Sequence, residues 1–118
     1  MRPLEGITVV ALEQVIAGPF ATRQLADLGA RVIKIERPGV GDAARAYDRS
    51  VKGLSSHFVW TNRSKESFTL DVKHPQAKPV LSRLLERNWL PSRTYTPRLR
   101  SGSYSSSTHA CAKASADP

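Results

Sequence analysis

Three segments of the sequence place groups that can bind an anionic ligand directly after strand-like runs. Residues 15–19, Val-Ile-Ala-Gly-Pro, follow an apolar run and precede a helix-like segment. Backbone amides at such a helix start favour anions, although a tight strand–helix turn without a ligand explains the segment equally well. Arg37 and Lys73 follow two further strand-like runs. A guanidinium and an ammonium there predict phosphate contacts, or stacking of Arg37 on a purine.

Plainer roles remain open for both cations. Arg37 can instead form a surface ion pair with Glu36 or Asp42, an interaction that contributes little to stability. A single lysine such as Lys73 is often only solvated. Because all three segments lie at strand ends that should meet at one edge of a sheet, they favour a shared ligand more strongly together than singly.

No group of residues in the sequence predicts a nucleophile, a general base or a metal site. His57 and His74 have no partner at ligand spacing. Serines at 55–56 stand beside His57 in the sequence, but adjacency in a loop does not predict a catalytic triad. Glu36 and Asp71 are available carboxylates that we expect to cap or pair locally. We therefore predict neither a catalytic residue nor a metal site, and no permanently bound cofactor.

A strand–helix–strand unit positions the first two segments. Residues 8–12 form a continuous apolar run of the kind buried in parallel sheets, and residues 31–35, Arg-Val-Ile-Lys-Ile, are predicted to be the second strand. Between them we predict a helix that turns Phe20, Leu25 and Leu28 inward and stops at Gly29. Such a unit should have parallel strands and a right-handed crossover.

The rest of the ordered region contains a long loop, a third strand and a helix. Residues 36–60 are rich in turn formers, with one helical turn expected at 43–47. Residues 67–72 alternate in polarity and predict the third strand. A helix should follow Pro75, with an apolar stripe formed by Val80, Leu81, Leu84 and Leu85.

The composition changes after Arg87. Residues 88–118 contain seven serines and three prolines but few aliphatic side chains. Such a segment buries too little apolar surface to offset the entropy of ordering, so we expect a disordered tail. The predicted fold is an α/β, incomplete Rossmann-like parallel sheet over residues 1–87, followed by this tail. A shift of reading frame near residue 87 is our hypothesis for the abrupt change.

The charge and cysteine content restrict the function classes. The formal net charge is +8, with an excess of five positive charges in residues 1–87 and three in 88–118. These charges are scattered without basic runs or interleaved aromatic residues, which disfavours nucleic-acid binding. The single cysteine, Cys111, allows no disulfide within the chain. No apolar run approaches the ~20 residues of a membrane span. We expect a soluble cytoplasmic protein with no nucleic-acid or membrane partner.

The order of these motifs resembles the family III CoA-transferases, a group that also includes α-methylacyl-CoA racemase. The resemblance covers about residues 3–87. Its motifs are Pro-Leu-Glu-Gly-Ile at 3–7, Ala-Gly-Pro-Phe-Ala at 17–21, Leu-Ala-Asp-Leu-Gly-Ala at 25–30, Val-Ile-Lys-Ile-Glu-Arg-Pro-Gly at 32–39, Gly-Asp at 41–42, Asn-Arg-Ser-Lys at 62–65 and Leu-Asp-Val-Lys at 70–73.

The resemblance implies a ligand for the strand-end segments: coenzyme A, bound as substrate in CoA or acyl-CoA form. Ile16 and Ala17 match the turn that packs on CoA, and Arg37 matches an arginine at the adenine nucleotide end. The segment that cradles the adenine and phosphates is matched by Leu70, Asp71, Val72 and Lys73. In the family a downstream aspartate attacks the acyl-CoA thioester. No residue here matches that aspartate, and the residues after 87 do not match the family's next segment.

The resemblance therefore implies the CoA-contacting N-terminal fragment of an acyl-CoA:carboxylate CoA-transferase, inactive by itself. A racemase fragment remains an alternative, as does a non-catalytic CoA-binding module. Complete family members act on a CoA thioester and a small carboxylic acid and form interlocked homodimers. We expect this chain to be too short for that interlocking, and expect its exposed apolar surface to promote aggregation.

Overall fold

The computed structural model describes residues 1–86 and, as a backbone strand, residues 109–114. In chain order the elements are strand β1 (Ile7–Leu12), helix α1 (Ala17–Asp27), strand β2 (Arg31–Glu36), a 3₁₀ helix (Ala43–Ala46), helix α2 (Ser56–Asn62), strand β3 (Lys65–Thr69), helix α3 (Ala77–Glu86) and strand β4 (His109–Ala114). The predicted strand–helix–strand unit is present. α2, however, occupies a stretch that the sequence analysis assigned mostly to a loop.

The sheet has the order β3-β2-β1-β4. β1 and β2 pair in parallel, as do β2 and β3, whereas β4 pairs antiparallel with β1. Ala11 lies opposite Lys34, and Lys34 lies opposite Ser67, so the three parallel strands end close to one another along a single edge. This arrangement confirms the predicted α/β, Rossmann-like parallel sheet.

Helix α1 covers one face of the sheet through small side chains. The buried cluster on this face consists of Val9, Ala11, Ala26, Ala30 and Val32, with Leu4, Ile7 and Leu25 packed against it. The prediction that Phe20 and Leu28 face inward is wrong, because they are 40% and 45% exposed. The helix instead buries Gly18, Pro19, Thr22 and Ala26, whose small size allows a close approach to the strands.

Helix α3 covers the opposite face. Val10, Ile33 and Ile35 form a second buried cluster, against which Leu70, Val72, Leu81, Leu84 and Leu85 pack. The predicted apolar stripe is therefore largely confirmed, although Val80 is 38% exposed. β3 ends at Thr69, earlier than the predicted end at 72. Leu70 still continues the ladder through one hydrogen bond, from its N–H to the carbonyl of Glu36 at 2.9 Å.

The long segment between β2 and β3 contains more structure than predicted. The expected helical turn is present as the 3₁₀ helix, where the Asp42 side chain caps the Ala44 N–H. α2 begins after Ser55, whose hydroxyl accepts a hydrogen bond from the Phe58 N–H at 3.4 Å. This is the ordinary serine N-cap arrangement. A serine before a run of apolar residues was therefore the sequence signal for α2.

Most of the predicted tail lies outside the described residues. Residues 109–114 are described, and they pair with the full length of β1. This strand was not predicted, since its sequence, His-Ala-Cys-Ala-Lys-Ala, has little β propensity. Among the described helices, none has the length and apolar character needed to cross a membrane.

Candidate functional site

The parallel strands bring the predicted ligand-binding segments to one edge of the sheet. The β1–α1 turn follows Leu12, Arg37 follows β2, and the segment from Leu70 follows β3. Because β2 lies between β1 and β3, Arg37 occupies the middle of this edge. We call this edge, made of the β1–α1 turn, Arg37 and residues 70–73, the carboxyl rim.

The β1–α1 turn presents two of its side chains to solvent. Ile16 is 37% exposed and Ala17 is exposed, whereas Gly18 and Pro19 are buried beneath them. Helix α1 begins at Ala17, and within residues 1–86 no side chain caps its first amides. The preceding residue, Val15, has a φ of 70°. A β-branched residue in this left-handed region is a backbone outlier that its surroundings must hold in place.

Arg37 and Lys73 are exposed on the carboxyl rim. The alternative ion pairs for Arg37 do not form, because Glu36 binds Arg45 and Asp42 binds Lys34 instead. Within residues 1–86, neither Arg37 nor Lys73 belongs to any salt bridge. Both charges are thus available to an anionic ligand.

The segment after β3 divides its side chains between the core and the solvent. Leu70 and Val72 are partly buried against the α3 side of the sheet. Asp71 and Lys73 are exposed, and the Asp71 carboxylate accepts a hydrogen bond from the Lys73 N–H at 3.0 Å. A ligand at the rim would therefore meet mainly the backbone atoms of Leu70 and Val72. It would meet the polar side chains of Asp71 and Lys73.

A buried charge network lies beneath the rim, on the α1 face of the sheet. Two lysines, Lys34 and Lys65, meet two carboxylates, Glu13 and Asp42, and their side chains are all at most 2% exposed. The contacts are as follows: Lys65 Nζ donates to Glu13 Oε1 (2.7 Å), Pro19 O (2.8 Å) and Asn62 Oδ1 (3.1 Å), and Lys34 Nζ donates to Asn62 Oδ1 (2.9 Å) and to the Asp42 carboxylate.

The network balances its own charge in a place that water does not reach. Burial lowers the pKa of Lys65 from its usual value, and the nearby Glu13 carboxylate opposes that shift. The Thr22 hydroxyl donates to Glu13 Oε2 at 2.7 Å and satisfies the remaining oxygen. Paired and hydrogen-bonded in this way, the four charges fix the β1–α1 turn, the loop after β2 and α2 relative to the sheet.

Glu36 forms a second, related set of contacts at the end of β2. Its carboxylate accepts hydrogen bonds from Arg45 Nε (3.0 Å) and Nη2 (2.7 Å), from the Ser67 hydroxyl and from the Asp42 N–H (3.1 Å). Burial raises the pKa of Glu36, but the contacts with Arg45, Ser67 and Asp42 together outweigh it and lower the pKa to about 2. Glu36 is therefore a structural anion, as predicted, and its partner is Arg45.

Acid should remove the stabilising contribution of Glu36. Since its pKa falls from 4.5 to about 2 on folding, the contribution is full above pH 4.5 and is lost as the pH drops towards 2. Glu36→Gln should cost about 2 kcal/mol of unfolding free energy at pH 7, and the difference from wild type should shrink as the pH falls through this window. Urea denaturation at pH 7, 4 and 2.5 measures it.

The matched control for this prediction is Glu86→Gln, which alters an exposed glutamate at the end of α3. It should change stability by less than about 0.5 kcal/mol at every pH. A difference between wild type and Glu36→Gln that stays constant down to pH 2.5 would contradict the prediction.

The serine and histidine side chains around α2 do not form a nucleophile–base pair. Ser56 Oγ donates to Asp48 Oδ2 at 2.7 Å, and His57 Nδ1 lies 3.3 Å from the same oxygen. Backbone N–H groups of Ser56 and Ser50 hold the pKa of Asp48 well below its usual range. Asp48 therefore organises its loop by accepting several hydrogen bonds. Ser56 and His57 each contact Asp48, so they do not form a serine–histidine proton relay.

His74 has a local role as well. Its Nδ1 accepts a hydrogen bond from the Gln76 N–H at 3.1 Å, in the turn before α3. In the part of the chain that the structure describes, no three His, Cys, Asp or Glu residues lie close enough to hold a metal ion.

Comparison with known proteins decides the family. The sequence model of CoA-transferase family III matches residues 4–88. The chain belongs to CoA-transferase family III. The mouse protein named succinyl-CoA:glutarate CoA-transferase is 45% identical over 85 residues, which are 71% of this chain and 20% of that protein. A formyl-CoA:oxalate CoA-transferase of Bradyrhizobium is 41% identical over 87 residues, 73% of this chain and 20% of its own length.

A solved family structure has the same fold over the matched region. The crystal structure of Rv3272, a hypothetical protein from Mycobacterium tuberculosis, superposes with a TM-score of 0.64 at 44% identity and covers 72% of this chain and 23% of that chain. The chain thus spans about a fifth of the length of the family III proteins it matches. The resemblance read from the motifs at 3–87 is confirmed.

The buried network of this family III segment was not predicted from the sequence. Lys34 interrupts the apolar centre of β2 between Ile33 and Ile35, and a charged residue inside a strand buried on both faces requires a buried partner. That interruption was the available signal. Its partners could not be identified from spacing, because Asp42, Asn62 and Glu13 come from three separate loops or helix ends.

Proposed function

We propose that this chain is the CoA-contacting N-terminal part of an acyl-CoA:carboxylate CoA-transferase, with residues 1–87 as family domain and 88–118 unrelated to it. The carboxyl rim would hold the CoA nucleotide. The residues we assign to CoA are Ile16, Ala17, Arg37, Leu70, Asp71, Val72 and Lys73.

The observation that carries this proposal is the pair of exposed cations on one rim, neither of which forms a salt bridge within residues 1–86. CoA carries a pyrophosphate and a further ribose phosphate, and Arg37 and Lys73 follow two adjacent parallel strands. The apolar Ile16 and the uncapped start of α1 lie on the same edge. Cations, apolar surface and free amides together suit a ligand that has both phosphates and an adenine ring.

Removing either cation should weaken CoA binding. Arg37→Ala and Lys73→Ala should each raise the CoA dissociation constant about tenfold, the equivalent of about 1.4 kcal/mol. The loss should diminish at high salt, because screening already weakens phosphate contacts there. Isothermal titration calorimetry with CoA at low and high salt measures both effects on the 118-residue chain.

The control for these variants is Arg31→Ala. Arg31 is the first residue of β2, the strand that Arg37 follows, and so lies at the end of the strand away from the carboxyl rim. Its guanidinium pairs there with the exposed Glu66 at 2.7 Å. Its removal should leave the dissociation constant within about twofold of wild type. Equal losses for Arg31→Ala and Arg37→Ala would show a general charge effect and contradict the assigned site.

We further propose that the isolated chain does not transfer CoA. None of its residues matches the aspartate that forms the acyl-enzyme anhydride in the family, so a bound thioester would meet no carboxylate nucleophile. We assign the remaining properties to complete family members: an acyl donor, a carboxylic acceptor, an interlocked dimer and a cytoplasmic location. Steady CoA transfer catalysed by the purified chain alone would overturn this part of the proposal.

A further inference from the structure

The β1–α1 turn depends on one strained residue. Val15 has a φ of 70°, and non-glycine residues in this region cost about 1–3 kcal/mol unless their surroundings compensate. The residue precedes Ile16 and Ala17 directly, so its conformation sets where these two point. A relaxed Val15 would turn the start of α1 away from its present direction.

Asp42 supplies the contact that holds Val15. Its Oδ1 accepts hydrogen bonds from the Val15 N–H at 3.0 Å and from the Ala44 N–H at 2.9 Å. Its other oxygen pairs with Lys34, and the two residues are 2% and 1% exposed. Because bonds on both oxygens fix the carboxylate, it can hold a strained backbone amide in a way that a solvated side chain cannot.

Asp42 also belongs to the loop that carries Arg37. The Gly41 N–H donates to the Arg37 carbonyl at 3.1 Å, which closes a tight turn immediately before Asp42. The loop and the β1–α1 turn, 27 residues apart in sequence, are therefore joined at the Asp42–Val15 bond. Through it the two parts of the carboxyl rim are held in one geometry.

We propose that Asp42 is a positioning residue for the CoA site: it keeps Val15 left-handed, so that Ile16 and Ala17 stay on the rim beside Arg37. The inference rests on the proposed function, because it concerns affinity for the same ligand. Asp42 itself touches no ligand, and its effect passes through the backbone of the turn.

The variant that tests this role is Asp42→Asn. It keeps the size of the side chain but removes its negative charge. That charge binds Lys34 and makes the hydrogen bond from the Val15 N–H stronger than a neutral acceptor would. Asp48→Asn is the matched control, since Asp48 also accepts two backbone N–H bonds, but from Ser50 and Ser56 rather than from the β1–α1 turn. CoA dissociation constants are measured by calorimetry, with the folded fraction of each sample checked by circular dichroism.

A rescue variant separates positioning from general stability. Glycine adopts positive φ without strain, so Val15→Gly removes the need for Asp42 to hold the turn. We expect Asp42→Asn to weaken CoA binding about tenfold, and the double variant with Val15→Gly to return to within about threefold of wild type. Asp48→Asn should bind as wild type does.

Several results would overturn the inference. Wild-type affinity in folded Asp42→Asn would do so, as would a double variant that binds no better than Asp42→Asn. Absence of CoA binding by the wild-type chain would instead remove the proposed function, and this inference with it. If Asp42→Asn does not fold, amide hydrogen exchange in the wild type decides: the Val15 amide should exchange more slowly than those of Ile16 and Ala17, and equal rates would refute the role.

Discussion

Lys34→Met should lose about 3–5 kcal/mol of unfolding free energy, the range expected when one member of a buried ion pair is removed. Lys34 is 1% exposed, and its ammonium is the direct partner of Asp42 and lies 3.8 Å from Glu13. Methionine fills much of the same volume, so the loss comes mainly from the Asp42 carboxylate, which is left buried without its counter-charge, whereas Glu13 keeps Lys65. A small domain has only about 5–10 kcal/mol in total. Urea denaturation followed by circular dichroism measures the change.

Two further variants make this result specific. Lys78→Met replaces an exposed lysine on α3 and should change stability by less than about 0.5 kcal/mol. Lys34→Met combined with Asp42→Asn should be more stable than Lys34→Met alone, because the second change neutralises the carboxylate that has lost its partner. A loss near zero for Lys34→Met would mean that the buried network does not stabilise the fold.

Ile33→Ala should cost about 2–5 kcal/mol, the range for truncating a buried isoleucine. Ile33 is 5% exposed and lies in the cluster that receives helix α3. Its loss leaves a cavity between β2 and the helix, so α3 should detach more readily than the rest of the domain unfolds. Urea denaturation gives the free energy, and amide exchange of α3 shows the local loosening.

Val80→Ala is the control on the same helix. Val80 is 38% exposed, and its truncation should cost less than about 1 kcal/mol. If Ile33→Ala and Val80→Ala were equally mild, α3 would not be docked on this cluster, and the packing of helices on both faces of the sheet would be contradicted.

The strands and the covering helices were predictable because their signals are local. An apolar run at 8–12 and the stripe of Leu81, Leu84 and Leu85 each indicate an element and a buried face within a few residues. The end of β3 was predicted too late, at residue 72. Leu70 and Val72 continue the alternation of a strand, but they pack against the core after β3 has ended at Thr69.

The inward face of α1 was misjudged for a different reason. Size and hydrophobicity suggested Phe20 and Leu28, but the fully buried positions of the helix are held by small residues, Gly18, Thr22 and Ala26 among them, and Leu25 alone of the three predicted residues packs against the cluster. The carboxyl rim could be predicted in outline, since parallel strands fix which loops share an edge. The Asp42–Val15 bond could not, because it depends on the path of a loop across 27 residues.

Titration of CoA into the folded 118-residue chain tests the central claim most directly. The rim formed by Ile16, Ala17, Arg37 and Lys73 predicts saturable binding that weakens with added salt and falls about tenfold in Arg37→Ala. Circular dichroism on the same sample establishes that the domain is folded. A folded chain that gives no binding heat with CoA, and is not protected from thermal unfolding by it, would contradict the account.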